Sequence, residues 1–142
     1  MMTAQGNDTI RNSYAALAPH AGVLADRFFA RLFAAQPVLR ALLPRDHWQR
    51  SHDLMALLGL VVKNSNRTDI IQNALMDFGA KAQRAGIMPQ QYGLARKALL
   101  DSMHDVLGAS WTDDNEAEWT ELLNTVTSVV VLGAGRSRTR AA

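Results

Sequence analysis

The stretch Phe78-Gly79-Ala80-Lys81-Ala82-Gln83-Arg84-Ala85-Gly86-Ile87, with Met88-Pro89-Gln90-Gln91-Tyr92 after it, reads as the last two turns of one helix and the opening of another. Leu75, Phe78 and Ala82 recur at helical spacing and are expected to share an inward face. Gly86 suits the left-handed residue just past a helix end, since it has no Cβ to clash. Pro89 suits the first turn of the next helix, where a missing N–H costs nothing.

The same grammar extends outward. Toward the N-terminus, Thr68 or Asp69 is placed to cap this helix, which begins with Ile70 and Ala74 on its apolar side. Before the polar link 63–67, Asp46 caps a helix with Leu54, Leu57, Leu58, Val61 and Val62 in an i, i+3, i+4, i+7, i+8 series. Pro37 opens a short turn of helix from Val38 to Leu43, and Pro44 ends it. Further back, Val23, Leu24, Phe28, Leu32 and Phe33 form a broad apolar face with Asp26, Arg27 and Arg31 outside it. Asn7 or Asp8 caps a first helix carrying Ile10, Tyr14 and Leu17. Downstream, Ala95, Leu99, Val106 and Leu107 continue the core after Tyr92, and Gly108 stops that helix. Asp113 and Asp114 suit a positive helix start, and Trp119, Leu122, Leu123, Val126, Val129 and Val130 make the last buried stripe.

These motifs resemble the globin family, most closely single-domain bacterial haemoglobins and the haemoglobin half of flavohaemoglobins. Their corresponding stretch reads roughly Leu-Gly-x-x-His-x-x-x-Gly-Val-x-Pro-x-x-Tyr, and Phe78, Gly79, Gly86, Ile87, Pro89 and Tyr92 fall into it. The runs Phe28–Arg40 and Leu107-Gly108-x-x-Trp111-Thr112, with the later Trp119, match in the same order. The resemblance implies an all-α globin fold, a three-over-three helical sandwich of about seven helices. It covers residues 8–134, with 1–7 and 135–142 expected as flexible termini.

Composition limits the alternatives. A length of 142 residues suits one domain with a good core. Without cysteine there is no disulfide, thiolate metal site or thiol chemistry. No run reaches the roughly 18 apolar residues that suggest a membrane span, and no secretory signal opens the chain, so a cytoplasmic protein is expected. Net charge is +2, and Arg136, Arg138 and Arg140 load the tail, which argues against a nucleic-acid binder.

The resemblance also assigns a pocket. Ala82 stands where the family has the proximal histidine that binds haem iron, and a methyl group donates no electron pair. Leu43 stands where a phenylalanine stacks on haem. Phe29 occupies a position that is often tyrosine, and it cannot hydrogen-bond bound oxygen. Arg50 takes the place of the distal histidine or glutamine, one turn before Leu54, the inner distal apolar residue. Phe78 and Tyr92 complete this degenerate pocket, Tyr92 as a packed residue with a buried hydroxyl partner. The chain has four histidines. His20 and His104 read as surface residues. His52 points about 160° from Leu54 at roughly 100° per residue and should face out. His47, near the pocket mouth, is the alternative iron ligand.

Leaving such a pocket empty is costly. About 300 Å³ of cavity at about 24 cal/mol per Å³ is roughly 7 kcal/mol, against a domain stability of about 5–15 kcal/mol. The expectation is therefore a haem-free sensor, regulatory or interaction module without a cofactor. Its pocket is collapsed or filled by an apolar anion, and its partner is another protein or a second copy of itself. Arg50 would meet the anion's acidic group. The alternative is a haem b protein that binds oxygen or another diatomic gas through an unusual ligand such as His47. No enzymatic activity is expected: there is no nucleophile–base arrangement, and the dioxygenase activity of flavohaemoglobins needs a flavin reductase domain for which this length has no room.

Overall fold

Capping and apolar spacing generate a chain of helices, and two glycines set how the last of them meet. A computed structural model describes residues 4–43 and 46–141, without the side chains of residues 4, 47 and 136–141. Its α-helices are α1 (Ala4–Leu17), α2 (Ala21–Ala35), α3 (Leu39–Leu42), α4 (His47–Lys63), α5 (Gln72–Ala85), α6 (Gln91–Leu107) and α7 (Asp113–Ala141). Short 3-10 turns at Ala18–His20, Thr68–Ile71 and Gly108–Ser110 join some of them. There is no strand among the described residues. The expected all-α sandwich is what forms: α5 lies on α7, α2 on α6, α1 on α7, and α4 against α2.

Several ends follow the predicted chemistry. The Asp46 side chain accepts from the backbone N–H groups of Trp48 and Gln49, capping α4. Gly86 ends α5 at φ 105°, and Gly108 ends α6 at φ 54°. Asp113, Asp114 and Glu116 fall in the first turn of α7. Other expectations are corrected. Helix α1 already runs from Ala4, so neither Asn7 nor Asp8 is its cap. Thr68 and Asp69 belong to a 3-10 turn, and α5 starts at Gln72 without a side-chain cap. Ile70 is 60% exposed and Val23 48% exposed, so neither is core. Pro89 sits in the turn before α6, where its carbonyl accepts from the Tyr92 N–H. Pro44 lies outside the described residues.

The core is anchored at its far end by Trp119, which is fully buried. Its indole N–H donates to the Ser13 hydroxyl at 2.7 Å, and that hydroxyl bonds the Thr9 carbonyl at 2.7 Å. The bond joins α1 to α7 and satisfies the one polar atom of a large apolar side chain. Helices α5 and α7 meet differently, backbone to backbone. A Cβ on Gly79 would collide with the Val130 carbonyl, and one on Gly133 with the Met76 carbonyl. No larger residue fits at either position without moving a helix. Gly79→Ala and Gly133→Ala are each expected to lower stability by about 2–3 kcal/mol or more, measured by urea unfolding. Gly22→Ala, where a Cβ meets nothing within 4 Å, should be neutral or stabilise by up to about 1 kcal/mol.

Candidate functional site

Helices α2 and α4 build one wall of the predicted pocket. The α2 rings form a short ladder: Phe28 and Phe29 meet edge-on at 4.9 Å, and Phe29 and Phe33 lie 5.8 Å apart. Arg50 reaches across from α4. Its guanidinium carbon is 5.7 Å from the Phe29 centroid and 4.9 Å from that of Phe33. A cation over an aromatic face is attracted by the ring quadrupole. The structure thus brings Arg50 and Phe29 together, and Leu54, one turn on, is buried. Leu43 is partly buried against the same core. His52 is exposed, as expected, and stacks on Trp48 at 4.9 Å. The backbone of His47 starts α4, but its side chain lies outside the described residues.

Helix α5 and the corner after it form the opposite wall. The Gly86 N–H bonds the Gln83 carbonyl at 3.1 Å, and the Ile87 N–H bonds the Ala82 carbonyl at 3.0 Å. That pair of bonds is the left-handed glycine cap, and it lays Ile87 back over the last turn of α5. Gln91 then pins the corner. Its side-chain oxygen accepts from the Met88 N–H at 2.8 Å, and its amide donates to Gln36 at the end of α2 at 3.1 Å.

On this wall Leu75, Gly79 and Ala82 are buried, while Phe78 is 42% exposed. The expected inward set of Leu75, Phe78 and Ala82 is therefore corrected. Gly79, pressed on α7, takes the centre of the buried face and turns Phe78 to its edge. Tyr92 is corrected as well. Its hydroxyl is buried but has no hydrogen-bond partner among the described residues, and burial pushes its pKa above the ordinary value of 10.0. Lys81 is exposed, and so are His20 and His104. Ala82 offers no donor atom, and no group of three or more metal-binding side chains exists among the described residues.

A family model for globins matches residues 26–130, most of the chain. The chain belongs to the globin family. A flavohemoprotein of Rhizobium meliloti is 26% identical over 133 residues, covering 92% of this globin but 33% of the relative. This globin spans about a third of the length of the flavohemoproteins it matches. An anaerobic nitrite reductase of Casuarina glauca is 19% identical over 145 residues, covering 92% of this chain and 91% of that one. Among solved structures, an engineered carbene transferase made from a candidate nitric oxide dioxygenase of Rhodothermus marinus superposes with a TM-score of 0.85 at 20% identity, covering 99% of each chain. A hexacoordinated haem protein from an anhydrobiotic tardigrade gives 0.83 at 16% identity, covering 94% of this chain and 95% of that one.

Two functional expectations fall on these findings. The absence of a cofactor is overturned, since the family and neighbours named for haem point to haem binding. The exclusion of enzymatic activity is overturned by relatives and neighbours named for catalysis. The expectation of no cofactor rested on Ala82 together with Leu43 and Phe29, but a porphyrin is also held by its apolar faces. Two residues bear on such a plate. The exposed Phe78 ring is apolar surface for it to cover, and the Tyr92 hydroxyl is a buried polar atom without a partner.

Three features of the site were not read from the sequence. Arg40 and Phe33 belong with Arg50, and Gln91 ties the corner to Gln36. Nothing in apolar spacing signals a cation placed over a ring or a bond between two amides.

Tyr92→Phe removes the unpartnered hydroxyl. Near neutral pH it should leave stability unchanged or raise it by up to about 1 kcal/mol. The raised folded-state pKa gives the sign at high pH. The neutral phenol's contribution is intact below the unfolded value of about 10 and is lost as pH climbs through the folded one. Urea unfolding of the parent above about pH 10 should therefore show an alkaline loss that Tyr92→Phe lacks.

Proposed function

We propose that this globin binds haem b and takes a diatomic gas on it, with an axial ligand other than residue 82. The observation that carries the reading is Phe78, a large ring left 42% exposed beside the buried face of α5. A flat apolar group between α4 and α5 would cover it. The names of the relatives support the same group and suggest redox chemistry on nitrogen oxides as its use.

Haem supplies the redox-active iron of such chemistry. The chain's own residues then have separable tasks. Phe29 and Leu54 exclude water from the distal side. Phe29 donates no hydrogen bond, so a bound gas gains no polar stabilisation from it. Arg50 attracts an anion to the entrance. Ala82 supplies no donor atom, so a bound haem would take its iron ligand from elsewhere, and His47 at the start of α4 would be the internal candidate.

Titration of the purified protein with haemin tests this. A sharp Soret band saturating at one haem per chain, shifted by carbon monoxide after reduction, is expected. Ala82→His should strengthen haem retention and change the spectrum. Loss of the parent's band in His47→Ala would identify the ligand. A titration that never saturates, with free-haemin absorption throughout, would sink the reading.

A further inference from the structure

We propose that the cleft between α1 and the start of α7 is a binding site for a small organic cation, a primary amine on a short carbon chain. The cleft opens beside the bond that joins Trp119 to Ser13. There α1, the end of α6 and the first turn of α7 leave about 340 Å³ between them. Small-molecule pockets begin at roughly 300 Å³, and one water takes about 30 Å³, so the space is of ligand size.

The polar groups deep in the cleft are Ser13 and Asn115, 6% and 8% exposed. The Ser13 hydroxyl is fully used: it accepts from the Trp119 indole and donates to the Thr9 carbonyl. Asn115 is only half used. Its side-chain nitrogen donates to the Ser110 carbonyl at 3.2 Å, and its backbone N–H donates to the Thr112 hydroxyl at 3.2 Å. Its side-chain oxygen accepts from no described residue. An amide oxygen has two lone pairs, and a buried acceptor without a donor is unfavourable. A ligand that brings an N–H into the cleft removes that deficit.

Charge selects the ligand further. No lysine, arginine or histidine lines the cleft, and its one ionised group is Asp114. Asp114 forms no ion pair with any described residue. Asp113 and Glu116 share the same turn, so three carboxylates outweigh the roughly half positive charge of the helix start. An anion is repelled here. A calcium ion, which takes about 6–8 oxygens at close range, finds a single carboxylate in a space far wider than itself. An ammonium group carries three N–H donors and one charge. Its carbon chain can lie on Leu107 and Ala16, which supply the apolar lining. None of these residues belongs to the haem pocket, so the site stands apart from the proposed function.

Calorimetric titration of the full chain with putrescine, at ionic strength held with sodium chloride, should show saturable binding at one amine per chain. The amine should also raise Tm, since it binds the folded state. Butanediol, of the same length without charge, and calcium chloride should not bind. Asp114→Asn should weaken putrescine binding about threefold to tenfold. Asn12→Lys, at an exposed position of α1 that lines the cleft, puts an ammonium there from the chain itself and should abolish binding. Asp77→Asn, which removes an exposed acid from α5, should leave binding unchanged. Circular dichroism establishes that each variant folds. Absence of saturable binding overturns the proposal. So does binding indifferent to Asp114→Asn and Asn12→Lys, equal binding of butanediol or calcium, or a loss in Asp77→Asn as large as that in Asp114→Asn.

Discussion

Helix α5 rests on α7 with no side chain between them at the crossing. Gly79 faces the backbone of α7 and Gly133 faces that of α5, so close that a methyl group on either would meet a carbonyl. A contact of this kind fixes more than a distance. Side-chain packing tolerates small rotations because rotamers adjust, whereas backbone against backbone has no such slack. The contact therefore sets the rotation of α5 about its own axis. That rotation decides that Leu75 and Ala82 are buried while Phe78 lies at the edge. The rest of the wall follows, since the Gly86 cap continues from the same turn and aims Ile87 and Tyr92.

The opposite wall has another logic. Three phenylalanines on α2 make a rigid apolar surface, and the residues facing it from α3 and α4 are arginines. Buried rings with cations above them form a boundary that is apolar beneath and charged at its lip. Such a boundary suits a ligand with an oily body and an acidic end. It also leaves α4 free of tight packing on α5, whose principal neighbour is α7.

Much of this was legible in the chain. Asp46, Gly86 and Gly108 act through local backbone chemistry, which a sequence carries in full. The burial of Leu24, Leu58, Leu75 and Trp119 followed from spacing. What failed has a common cause. Apolar spacing locates a helical face only to within a residue or so, and it gives glycine no weight. Phe78 looked inward because it is large and apolar. Gly79 took that place because it is small and another backbone needed the room. Val23, near the start of α2, and Ile70, in the turn before α5, are similar cases, apolar residues left on the exposed side. Tyr92 departs from the rule that buried polar groups are satisfied, because no polar group of the described residues reaches its hydroxyl.

Position 82 raises the question of what a donor atom is worth. A fold does not need it: the cap at Gly86, the crossing at Gly79 and the Trp119 anchor are all made without a metal bond. Nor is it the whole of what would hold a porphyrin. Every 100 Å² or so of apolar surface withdrawn from water contributes about 2.5 kcal/mol, and a flat macrocycle presents several such areas on its two faces. Against that stands the loss of one axial bond, which falls on the iron's electronic state as much as on retention. A methyl group at residue 82 therefore weakens the case for ordinary oxygen storage far more than it weakens the case for haem. A haem held here would take its iron ligand from a residue other than Ala82 or from a small donor. Its chemistry would then be governed by the distal wall, where Phe29 withholds a hydrogen bond and the two arginines supply positive charge.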